Sequence, residues 1–178
     1  MKCLIFDTET TGLVGNSVLR AERQPKIIEF CGILVDDLSG ETLMEVDTLI
    51  NPNEKLEPVI TKITGLTDND LKSAQAFKDV ETDITSILEE SEALVAHNLT
   101  FDLSMLEVEY GRIGMPLPTP EEKICTVEAT EHIYGRRMKL TDLHNHLFGQ
   151  HISGAHRARV DVMALKDVFL KLRAMDEV

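Results

Sequence analysis

Apolar residues come first in short runs and only later in helical stripes. Residues 2–6, Lys-Cys-Leu-Ile-Phe, are too few for a helix and stop at Thr10-Thr11-Gly12, so they read as a buried strand. Residues 26–35 read as a second strand ended by Asp36-Asp37, and Ser39-Gly40 as a hairpin turn into a third over 41–50. The first third is therefore an antiparallel meander. After Asn51-Pro52-Asn53 the period changes. Residues 57–64 suit a short helix with Pro58 in its first turn and Gly65 breaking it, and 67–70 open another helical turn. Val80, Ile84, Ile87 and Leu88 make a helical stripe within 79–91. Residues 93–96 read as a short buried strand. Thr100 caps a helix over 101–112, with Asp102 in the first turn, where the helix dipole favours a carboxylate. A turn-rich loop over 114–120 leads to a fifth strand over 123–127 and a helix to about 134. Helices follow over 140–147 and 157–175. Strands alternating with helices after a meander predict an α/β fold around one mixed sheet.

Composition adds limits. The chain has 178 residues, no internal repeat and no linker-like stretch, which predicts one domain over 1–178. Its longest apolar runs are strand-sized, so no transmembrane helix is expected. The N-terminus lacks the basic region and long apolar core of a secretory signal. Cys3, Cys31 and Cys125 are few, odd in number and far apart, which suits core cysteines in a reducing cytoplasm. A net charge of −13, from 18 Lys+Arg against 31 Asp+Glu, argues against a broad surface for duplex DNA. An enzyme holding only the last nucleotides of a strand is still compatible with it. The cations do cluster, as Arg20, Arg23 and Lys26, as Arg136, Arg137 and Lys139, and as Arg157 and Arg159. Each cluster reads equally as groove lining or as solvated surface.

Three stretches carry candidate chemistry. Asp7 and Glu9 are two apart on the first strand, so they project from one face about 7 Å apart. Two such carboxylates repel unless a cation lies between them, and oxygen ligands suit Mg²⁺ or Mn²⁺. A solvated polar turn is the open alternative. His97-Asn98-Leu99-Thr100-Phe101-Asp102 spans a strand-to-helix junction, where open α/β sheets place their sites. Asp102 could face Asp7 or could simply favour its helix. In the stretch from Gly154 to Asp161, His156 stands before a helix with Asp161 about one turn in. An imidazole beside a metal site suits proton transfer near pH 7.

Together D-T-E-T-T-G at 7–12, H-N-L-T-F-D at 97–102 and H-R-A-R-V-D at 156–161 resemble the three motifs of the DEDDh 3′–5′ exonucleases. That superfamily includes the epsilon proofreading subunit of bacterial DNA polymerase III, ribonuclease T and oligoribonuclease. Ile63-Thr64-Gly65-Leu66-Thr67 is similar to the family's segment between the first two motifs, although Thr64 stands where many relatives carry histidine. The resemblance implies a ribonuclease H-like fold with a five-stranded mixed sheet and helices on both faces. It implies two divalent cations, Mg²⁺ or Mn²⁺, held by Asp7, Glu9, Asp102 and Asp161, with His156 as general base. It implies substrate contacts at the backbone of Thr10 and Thr11 and at Leu66, Asn98 and Phe101. The expected activity is release of nucleoside monophosphates from the 3′ end of single-stranded nucleic acid, with DNA slightly favoured. A 3′–5′ exoribonuclease and a non-catalytic nucleic-acid- or polymerase-binding subunit are the alternatives. A DNA polymerase or replication partner and a homodimer are both open, and a polymerase would have to engage the folded surface because little chain follows Leu172. His132, His144, His146 and His151 match no motif and read as structural or surface residues.

Overall fold

Strand β1 (Lys2–Thr10) lies at the centre of a five-stranded sheet of order β3-β2-β1-β4-β5. The computed structural model describes residues 1–13 and 23–178. β1 pairs antiparallel with β2 (Ile27–Asp36), which pairs antiparallel with the edge strand β3 (Thr42–Leu49). On its other side β1 pairs parallel with β4 (Ala93–Ala96), and β4 pairs parallel with β5 (Glu122–Cys125). The meander forms as the sequence predicts. Hydrophobicity on both sides of β1 follows from this central place, because Cys3, Leu4, Ile5 and Phe6 are all fully buried.

Alternation along β1 divides the core in two. Leu4 and Phe6 pack with Phe30 and Leu34 against α3 (Phe77–Glu89) and α4 (Leu99–Ile113). Cys3 and Ile5 pack with Cys31, Ile33 and Val35 against Ala158, Val162, Leu165 and Phe169 of α7 (Ala158–Arg173). Gly32 permits the close packing on the α3/α4 face, since a Cβ there would lie 3.1 Å from both Leu4 Cδ1 and the Phe30 ring. The helices α1 (Pro58–Thr64) and α2 (Asp68–Leu71) bring Ile60, Leu66 and Leu71 onto Ile28. Gly65 ends α1 at φ 74°, a left-handed turn that a side chain would disfavour. Helices α5 (Thr126–Tyr134) and α6 (Leu140–Phe148) complete the set, and α6 packs on α7 through Leu143 and Val168. This is a ribonuclease H-like α/β fold: a five-stranded mixed sheet flanked by helices.

Some boundaries differ from the sequence expectation. β1 runs on through the carboxylates to Thr10, because its antiparallel pairing with β2 persists that far. Thr100 does not cap α4. The cap is Asn98 at φ 75°, ψ 50°, with no side-chain capping bond, and Thr100 already lies in the first turn. β5 ends at Cys125 rather than 127, and α5 starts at once. Arg20, with the rest of residues 14–22, lies outside the described residues. Among the described residues, no helix is long and apolar enough to cross a membrane.

Candidate active site

Asp7 and Glu9 continue the face of β1 that carries Cys3 and Ile5, and so point to the α7 side of the sheet. Glu9 lies directly opposite Glu29 of β2, and the pairing slips by one residue just beyond it, between Glu9 and Thr10. A bulge at that point ends the regular ladder and redirects the strand next to the carboxylates. From the α7 side, Asp161 enters in the first helical turn, and its Oδ2 accepts the His156 backbone N–H at 2.9 Å. His156 itself is held at φ 68°, a left-handed conformation uncommon outside glycine. Glu9, His156 and Asp161 each offer a ligand atom within 4.8 Å of the others.

Asp102 comes from the opposite face. It sits in the first turn of α4, is 2 % exposed, and reaches over the end of β1 to Thr8. The Thr8 backbone N–H and hydroxyl both donate to Asp102 Oδ1, at 3.0 and 2.7 Å. Two helices packed on opposite faces thus deliver carboxylates to one strand end. His97 fixes that corner, with Nε2 against the Met138 carbonyl at 2.9 Å and Nδ1 against the Thr126 hydroxyl at 2.9 Å. Burial holds its pKa below the usual value, so the neutral ring donates to Met138 and accepts from Thr126.

The electrostatics are those of crowded acids. Burial, then repulsion from Asp102, Glu9 and Asp161, lifts the Asp7 carboxyl well above the ordinary range. Burial and the neighbouring Asp161 and Glu29 push Glu9 up to about 8. Burial likewise raises Asp102 to about 7, against the two Thr8 hydrogen bonds that favour its ionised form. Asp161 is raised by burial and partly restored by the His156 N–H. Desolvated oxygen donors that repel one another fit a divalent cation, which would neutralise all of them at once.

The substrate residues expected from the motifs are placed unevenly. Asn98 is at the α4 cap, with its Oδ1 3.4 Å from an Arg137 guanidinium nitrogen. Phe101 is partly buried against the α3/α4 core. Thr10 is buried and donates its hydroxyl to the Gly12 carbonyl at 2.7 Å. Thr11 lies next to it, with its N–H on the Lys26 carbonyl and its hydroxyl accepting the Lys26 N–H. Leu66, at 2 % exposure, belongs to the small cluster with Ile28 rather than to an open surface. Beside Thr11 a cavity of about 470 Å³ is lined by Arg23, Gln24, Pro25, Glu54, Lys55 and Glu57. Among the clustered cations, both members of the Arg157/Arg159 cluster and one member of the Arg136/Arg137/Lys139 cluster meet acids within the chain. Arg157 pairs with Glu29, Arg159 with Glu45 and Asp47, and Arg137 with Glu131.

Two residues of this corner take no role from the motifs. Glu29 is a 2 % exposed carboxylate, and its sequence signal is a lone acid inside the apolar run 27–35. Thr8 carries no signal beyond sitting between the two acids.

A ribonuclease H-like sheet with this acid and histidine cluster at its central strand defines a nuclease of the DEDDh type. The chain belongs to the RNase_T exonuclease family, whose model matches residues 4–169. It is 30% identical over 172 residues, 95% of its length, to the DNA polymerase III PolC-type of Staphylococcus haemolyticus. It is 33% identical over 135 residues, 74% of its length, to that of Lactococcus lactis subsp. lactis. The chain spans only 11% and 7% of those polymerases. Among solved structures, the nuclease domain of 3′hExo, a DEDDh family member bound to rAMP, aligns with TM-score 0.78 at 17% identity. That alignment covers 97% of this chain and 92% of the other. A 3′-exonuclease in 3′-end specific recognition of histone mRNA stem-loop aligns with TM-score 0.77 at 18% identity, over 96% of this chain and 62% of the other.

Proposed function

We propose that the chain, as a single exonuclease domain over 1–178, removes nucleoside monophosphates from the 3′ end of single-stranded nucleic acid. The convergence of Glu9, His156 and Asp161 within 4.8 Å, beside Asp7 and Asp102, carries this reading. Asp7, Glu9, Asp102 and Asp161 would hold two divalent cations, Mg²⁺ or Mn²⁺. When bound, these supply an activated water and charge stabilisation for the leaving 3′ oxygen. His156, exposed at the rim, would accept the proton of the attacking water. Thr8 would keep Asp102 aimed at Asp7. Asn98 and Phe101 would line the terminal sugar and base, with Thr10, Thr11 and Leu66 forming the wall behind them. Contacts of this kind bind any base, as a sequence-blind enzyme requires.

RNA is the leading polymer. The DEDDh structure bound to rAMP and the histone mRNA exonuclease each align over more than nine-tenths of this chain, which supports a ribonucleotide fit. DNA is the second reading, favoured by the 30–33% identity to the PolC-type polymerases, which also makes polymerase-linked work the natural setting for it. The test uses 5′-labelled single-stranded RNA and DNA of matched sequence, with Mg²⁺, Mn²⁺ or EDTA. A metal-dependent ladder shortening from the 3′ end supports the proposal, and the faster polymer identifies the substrate. No shortening of either polymer would favour the binding-subunit reading.

A further inference from the structure

Glu29 lies across the ladder from Glu9, close enough to help raise the Glu9 pKa, yet its oxygens are already engaged. Its Oε1 accepts Arg157 Nε at 3.2 Å and a second Arg157 guanidinium nitrogen at 2.8 Å. Its Oε2 accepts Arg157 Nε at 3.1 Å and the Ala158 backbone N–H at 3.1 Å. Both atoms thus take paired donors from the two residues that follow His156. Such a bidentate clamp fixes direction as well as distance.

We propose that Glu29 is the positioning residue for His156. By gripping Arg157 and Ala158 from beneath α7, it fixes the chain where His156 turns left-handed and presents its ring to Glu9 and Asp161. The left-handed backbone is unfavourable for histidine and persists only if its surroundings impose it. On one side Asp161 holds the His156 N–H, and on the other Glu29 holds the next two residues. This inference rests on the proposed hydrolytic reading and assigns Glu29 a role without contact with substrate.

The test compares Glu29→Gln, Arg157→Ala and Arg157→Lys with the parent protein, alone and combined with His156→Ala. Arg157 is half-exposed, so its variants leave the core intact even if Glu29→Gln folds poorly. Glu29→Gln and Arg157→Ala are expected to lower kcat about 10- to 100-fold with KM little changed, and Arg157→Lys to recover part of the loss. Calorimetric Mn²⁺ affinity should stay at the parent value. In the His156→Ala background the same changes should add almost nothing, since their effect passes through the missing ring. Amide hydrogen exchange at 156–158 should quicken in both loss variants while the central strands stay protected. Parent-like kcat, a full further loss without His156, unchanged exchange, or a collapse of Mn²⁺ affinity would each overturn the positioning role. A parent protein without nuclease activity would instead refute the hydrolytic reading, and the exchange measurement would still decide whether Glu29 orders the turn.

Discussion

Thr8 donates both its backbone N–H and its hydroxyl to one oxygen of Asp102, at 3.0 and 2.7 Å, across the seam between β1 and α4. The residue between the two strand acids therefore ties down the acid from the other face of the sheet. Both bonds favour ionised Asp102, opposing its desolvation. Thr8→Val should remove one of them. A hydrogen bond to a charged group contributes about 1.5–3 kcal/mol, equivalent to about one to two pH units. Carboxyl ¹³C titration of metal-free protein should show Asp102 rising by that amount in Thr8→Val and little change in Thr8→Ser. An unmoved Asp102 would show that the hydroxyl does not matter.

The crowded acids make stability depend on pH. Glu9 and Asp102 have folded pKa values of about 8 and about 7, with unfolded values near 4. Between these limits the folded state binds more protons, so metal-free stability falls as pH rises through that window and levels off above it. Bound cations should reverse the trend by favouring the ionised forms. Thermal unfolding from pH 5 to 9, with and without Mn²⁺, should show a stabilisation by metal that grows with pH. A metal effect independent of pH would contradict it.

Asp7→Ala should nearly abolish activity while leaving a protein that folds at least as well as the parent. It would remove a proposed cation ligand, and with it a desolvated carboxyl crowded by other acids. Product ladders and thermal unfolding check both halves. Retained activity would sink the assignment of Asp7.

His156→Ala should slow turnover by about 10²–10⁴-fold and leave Mn²⁺ affinity largely intact, as expected for a base rather than a ligand. Its ring lies close enough to Glu9 and Asp161 to serve as either. A large drop in calorimetric affinity would make it a ligand.

Much of this arrangement was legible in the chain. Alternation along β1 puts Asp7 and Glu9 on one face, and the four-residue run 93–96 is observed as β4 (Ala93–Ala96). The motif resemblance pointed to Asp102, His156 and Asp161, of which His156 and Asp161 lie with Glu9 within 4.8 Å of one another and Asp102 acts with Asp161 on Asp7. What was hidden depends on contacts between distant segments. Spacing does not say that α4 and α7 cover opposite faces, so the Thr8–Asp102 bridge could not be foreseen. The Asn98 cap replaces the Thr100 cap because the backbone turns left-handed there, which a polar pair of residues does not announce. Glu29 was visible only as an acid in an apolar strand, and its clamp partners lie 128 and 129 residues away.

Acids from both faces of the sheet are proposed to bind divalent cations at the end of β1. Anomalous diffraction from crystals soaked in Mn²⁺ with a nucleoside monophosphate tests this most directly. One peak is expected among Asp7, Glu9 and Asp161 and a second between Asp7 and Asp102, both absent in Asp7→Ala. No anomalous density at this corner under saturating Mn²⁺, or peaks that persist in Asp7→Ala, would contradict it.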